Sequence, residues 1–141
     1  MTVRNRNLSL LLPVLLCAAA PAAASSQAEC LAGKLDPSLG IVGQLRDAHL
    51  DLSQARSVSH LFVGPTAKLK LLKATLTRLG FQAAQIQGSK RLLVITSATV
   101  DEPWVRSTLL KMCAAAEQAQ VEYDGWDVDV EADKITSQPA R

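Results

Sequence analysis

Aromatic side chains are scarce in this chain: two tryptophans, two phenylalanines and one tyrosine, 4% of its residues. That scarcity rules out an interior built on stacked rings and leaves no platform for layering single-stranded bases. Histidine is limited to His49 and His60, too few for a histidine-rich metal centre. The arginines are scattered rather than clustered, so the phosphate-neutralising patch of a nucleic-acid binder is missing. Uninterrupted apolar runs are short as well. The longest, residues 8–20, contains Pro13 and falls below the roughly 20 residues needed to span a bilayer.

Apolar residues nevertheless make up 48% of the 141 positions, enough for one globular domain with a short N-terminal addition. With so few rings, the core must be built from Leu, Val, Ile and Ala, with Trp104, Trp126, Phe62 and Phe81 as its large pieces.

The N-terminus has its own pattern. Arg4 and Arg6 precede the apolar run, and Ala22-Ala23-Ala24 or Ser26-Gln27-Ala28 then offers a small-residue cleavage site. This reads as a secretory signal peptide over residues 1–28, cleaved after Ala24 or Ala28. Cys17 follows Leu16 and Cys30 follows Glu29, neither of them the small residue expected before a lipid-modified cysteine, so the exported chain is expected free of the membrane. Losing Arg4 and Arg6 and no acid takes fifteen bases to thirteen, against thirteen acids. A neutral mature chain is expected not to bind nucleic acid.

Cleavage also removes Cys17 and leaves Cys30 and Cys113, an even pair in a compartment where disulfides persist. A Cys30–Cys113 bridge is the first expectation; two buried thiols and a cross-linked dimer are the alternatives. Closing so long a loop would stabilise the fold by about 4–5 kcal/mol in the chain-entropy account.

Hydrophobic period sets out the elements. "VSHLFV", residues 58–63, reads as a strand stopped by Gly64-Pro65. In "TAKLKLLKATLTRLG" the spacing of Leu69, Leu72, Leu76 and Leu79 marks one face of a helix that Gly80 ends. "FQAAQIQ" and "RLLVITSA" read as a hairpin, the second strand apolar enough to be covered on both faces. Thr99 or Asp101 can cap a second helix, with Pro103 in its first turn and Val105, Leu109, Met112, Cys113 and Ala116 at helical spacing.

In the last segment, "EYDGWDVDVE", Asp124-Gly125 suits a turn into a strand that puts Trp126, Val128 and Val130 on one face and Asp127, Asp129 and Glu131 on the other. Calcium binding by Asp124, Asp127, Asp129 and Glu131 is disfavoured, because an extended strand does not converge six or more oxygens. An acidic ladder that protects a sheet edge is the simpler reading. Tyr123 either seals the helix–strand junction or offers its hydroxyl to a partner.

The order β-α-β-β-α-β predicts an α+β, ferredoxin-like two-layer sandwich, with a four-stranded antiparallel sheet and two helices on one face. The expected layout is the leader at 1–28, a helical extension at 29–56, the domain at 57–132 and a flexible tail at 133–141. His49 and His60 read as hydrogen-bonded structural residues. Ser57, Ser59, Ser97 and Asp101 lack the setting of a nucleophile elbow or oxyanion loop. No enzyme activity, cofactor or catalytic metal is expected.

The motif "YDGWDV", preceded by "LVITSATVDEPWV", resembles the regulator of ribonuclease E activity B (RraB) family, in which a Tyr-Asp-Gly-Trp turn closes the domain. "LRDAHLDLSQARSVSHLFVGP" and "LTRLGF" are similar to the family's opening helix, first strand and helix–glycine–strand junction, and the likeness spans residues 39–130. On this sequence the family motif is Tyr123, Asp124, Gly125 and Trp126. The resemblance implies a non-enzymatic protein that binds the C-terminal region of an RNA-degrading endonuclease and limits its activity.

An exported version would act instead on an envelope partner whose identity the sequence does not give. One uncovered sheet face is expected to carry the contact, either to a partner or to a second copy. Leu61 or Phe62 would take part with Leu93 or Val94, the choice depending on a one-residue register. An alternative is an envelope toxin-neutralising or scaffold protein that uses Trp126, Asp127 and Asp129. If the leader is not used, a cytoplasmic inhibitor of ribonuclease E is the other reading.

Overall fold

The computed structural model describes residues 26–81, 83–88 and 90–131. The expected tail at 133–141, and the leader up to residue 25, lie outside the described residues. The elements run α1 (Gln27–Asp47), β1 (Ala55–Val63), α2 (Thr66–Arg78), β2 (Ala83–Gln87), β3 (Arg91–Thr99), α3 (Glu102–Ala119) and β4 (Glu122–Val128). Among the described residues the protein is therefore an α+β domain with three helices on an antiparallel sheet, and the first of them, α1, falls in the stretch expected to be a helical extension.

The alternation of β1 sends Arg56, Val58, His60 and Phe62 inward. Strand β3 runs antiparallel beside it, with Phe62 opposite Leu92 and His60 opposite Val94. On the other side β4 sets Tyr123 opposite Phe62 and Trp126 opposite His60. The backbone of β2 pairs with β3 from Ala83 opposite Ile95 to Gln87 opposite Arg91, which gives the order β2-β3-β1-β4.

Three expectations about these elements are corrected. Leu79 is 51% exposed, because α2 stops at Arg78 and the Leu79 N–H folds back onto the carbonyls of Thr75 and Leu76. Only Leu69, Leu72 and Leu76 of that stripe reach the core. Strand β3 lies inside the sheet but is covered on one face: Leu92 and Val94 are buried, whereas Ile95 is 40% exposed.

The third correction concerns β4, which begins at Glu122, so Asp124-Gly125 is not the turn from α3. Gln120, in the left-handed conformation at φ 55°, makes that turn. Gly125, at φ +136°, sits where the β1–β4 register slips between Leu61 and Phe62, a bulge that leaves Asp124 without an opposite number.

Helix α1 belongs to the domain rather than extending from it. Ser26 and Glu29 form a reciprocal capping box at its start, and the helix continues through Pro37 to Asp47. It lies on α3, puts Val42 and Leu45 into the common core, and is joined to α3 by the Cys30–Cys113 disulfide across a Cα–Cα distance of 5.7 Å. Residues 37–50, which would close the sheet's second face if they folded across it, stay on the helical side with α1.

Candidate functional site

The Tyr-Asp-Gly-Trp motif is held residue by residue. Tyr123 is buried against Phe62, ring centroids 4.9 Å apart, and its hydroxyl shares a 3.0 Å hydrogen bond with His60 Nδ1. The hydroxyl is thus used internally, in the sealing role. Asp124 turns its carbonyl to Lys34 of α1, whose Nζ donates at 2.7 Å. Gly125 supplies the bulge. Half-buried Trp126 donates from Nε1 to Ser38 Oγ at 2.8 Å and meets Trp104 edge-to-face at 5.2 Å. Lys34, Ser38 and Trp104 carry no sequence signal that ties them to β4. Only the fold brings them there.

His60 has no exposed surface. Burial lowers its pKa to about 4 and raises that of Tyr123, so the pair is neutral at ordinary pH. Among the described residues Nε2 has no hydrogen-bond partner, and the ring lies between Phe81 and Trp104 at centroid distances of 6.1 and 6.2 Å. A proton donor or acceptor sealed in this way has no access to a substrate. Ser57, Ser59 and Ser97 lie on the opposite face of the sheet, and Asp101 is occupied as the α3 cap, accepting from the Trp104 N–H at 2.8 Å. Among the described residues no three His, Cys, Asp or Glu side chains come together to hold a metal.

The face turned away from the helices has a different character. The register places Leu61 between Leu93 and Gly125, and Ser59 between Ile95 and Asp127. Because Gly125 has no side chain, an open groove of about 290 Å³ lies over Leu61 and Leu93, bordered by Ser59, Asp124, Trp126 and Asp127. A second hollow of about 460 Å³ shares Ser59 and Asp127 and extends past Ile95 to Asp129 and Glu131.

Of the residues expected at a partner contact, Leu61 and Leu93 lie on this face, with Asp127 and Asp129 exposed along its β4 side. Phe62 and Val94 do not. Each is 0% exposed in the core, because alternation along β1 and β3 turns them toward the helices. Trp126 touches the groove's border while its indole is anchored on the helical side.

The profile of a protein family described as "Regulator of ribonuclease activity B" matches residues 38–128. The chain belongs to the RraB family. That span contains the whole sheet, α2, α3 and the RraB motif, and it opens at Ser38, the residue that receives the Trp126 indole hydrogen bond. No curated protein matches the chain. The RraB family is one of regulators rather than catalysts.

Proposed function

We propose that this protein is a non-catalytic regulator that works by docking its open sheet face onto another protein, and that it does so after export, on an envelope partner. The scaffold is read as a ferredoxin-like, four-stranded sandwich, a reading supported by the backbone order β2-β3-β1-β4 and by the helices sharing one face. The observation that carries the docking reading is the uncovered strip of Leu61, Leu93 and Ile95, an apolar surface in mid-sheet with no described element over it.

Export is supported by the charged-then-apolar N-terminal pattern and by the Cys30–Cys113 disulfide, a bond suited to an oxidising compartment. Cleavage after Ala24 keeps the Ser26–Glu29 capping box of α1, whereas cleavage after Ala28 removes Ser26 and uncaps the helix. The first site is therefore the one the fold favours.

Two experiments test the reading. A photo-crosslinking residue at Leu61 or Leu93 should capture a partner in cells, and one at exposed Leu110 on the helical side should not; equal capture at all three positions rejects the face. Fusing residues 1–30 to a reporter that is active only after export should give activity. Silence instead favours the second reading, a cytoplasmic inhibitor of ribonuclease E, which the family's description as a regulator of ribonuclease activity supports in its coarser form. Dimerisation through the same face would appear as a cross-link to the chain itself.

A further inference from the structure

We infer that the partner presents a basic side chain, arginine or lysine, whose aliphatic stem lies in the notch at Gly125 and whose charged head sits between Asp124 and Asp127. This rests on the docking reading above and specifies the chemistry of its occupant. The notch is floored by Leu61 and Leu93, and an added Cβ at Gly125 would meet nothing within 4 Å, so the space above the bulge is open.

Its border is one-signed. Asp124 and Asp127 line it, no lysine or arginine does, and the adjoining hollow adds Asp129 and Glu131. Among the described residues neither Asp124 nor Asp127 has a salt-bridge partner. The Asp127 carboxylate accepts from the Val128 N–H through one oxygen, and Lys34 engages Asp124 at its carbonyl rather than at its carboxylate. An apolar floor under two uncompensated carboxylates suits a side chain that is hydrocarbon along its length and cationic at its tip. Strands β1 and β3 hold the floor while the bulge points the acids, so the notch is formed before anything binds.

The groove between α2 and α3 is a built-in contrast. It holds exposed Leu71 beside Lys68 and Arg78, an apolar surface with the opposite charge. A ligand drawn by charge and apolar contact together should therefore distinguish the two grooves by its own sign.

The test uses two labelled peptides on the intact domain, one of alternating arginine and valine and one with glutamate in place of arginine. Amide shifts in NMR locate binding, and anisotropy measures affinity. The arginine peptide should shift Leu61, Leu93 and Gly125, and Asp124→Asn with Asp127→Asn should weaken it by roughly three- to tenfold and flatten its salt dependence. Asparagine keeps the acceptor for Val128, so the fold should be retained.

Three results would each overturn the inference: equal affinity of the double variant, shifts confined to exposed acids without Leu61 and Leu93, or a glutamate peptide that binds the same notch. If cross-linking at Leu61 persists in cells unchanged by the double substitution, the docking face stands and the basic anchor fails. Loss of all cross-linking at Leu61 and Leu93 in the unsubstituted protein would remove the docking reading itself.

Discussion

Leu61 and Phe62 are neighbours on one strand and similar in hydrophobicity, yet Phe62 is 0% exposed while Leu61 borders solvent. The same split runs through β3, where Val94 is buried and Ile95 is 40% exposed. The two faces of this sheet thus use similar residues for different ends. One is spent on cohesion with the helices, and the other is left over for contact. Apolar content therefore says little about either face; what covers it decides its role.

The largest way to break that contrast is to loosen the cover. Replacing both Cys30 and Cys113 by serine should cost about 4–5 kcal/mol, since the closed loop spans 83 positions. Urea unfolding measures it, and a loss below about 1 kcal/mol would mean that α1 holds its place on α3 without the bond. Truncation along β1 sharpens the contrast directly. Phe62→Ala should destabilise by about 3–5 kcal/mol, and Leu61→Ala should stay within about 1 kcal/mol. Similar losses at both positions would show that the open face is not open in solution.

Acid separates the faces in another way. Folding keeps His60 neutral down to about pH 4, whereas an unfolded histidine takes up a proton near 6.5. The stability it contributes is therefore complete above about pH 6.5 and is lost as pH falls toward 4, about 3 kcal/mol at most. Chemical unfolding of the wild type against His60→Leu, followed across that window, should show the difference; parallel curves would refute it. A smaller loss than that at Phe62 is expected at Gly64, where an added Cβ would come 2.7 Å from Val121 Cγ1. Gly64→Ala should cost about 1–3 kcal/mol by crowding the junction where the chain enters β4, with no change in NMR shifts at Leu93 or Ile95.

Much of this architecture can be read from the sequence. The α2 stripe of Leu69, Leu72 and Leu76 follows from local spacing, the α3 cap is narrowed to Thr99 or Asp101, and the Cys30–Cys113 bridge is the first of three readings of the two cysteines. Helix α1 is harder, because Pro37 within it looks like a break and its support comes from α3, far along the chain. The position of Asp124-Gly125 inside a strand is also obscured, since the pair has the composition of a turn and only pairing with β1 shows a bulge. The candidate face was legible down to a choice of register: alternation named Leu61 or Phe62 and Leu93 or Val94, and a sheet position for both was needed to choose. The links from Lys34 and Ser38 to the RraB motif span about ninety positions and leave no local trace.

The disulfide also fixes the order in which the molecule can be finished. Its first half lies in the opening turn of the first described helix, and its second half lies in α3, 83 positions later. A chain made from its N-terminal end cannot set this lock until α2, β2, β3 and the first turns of α3 have emerged. A truncated copy that stops short of α3 is therefore never fastened, and it stays a loose thread that proteases can clear. The bond can be set only in a copy that reaches Cys113, with β4 still to follow.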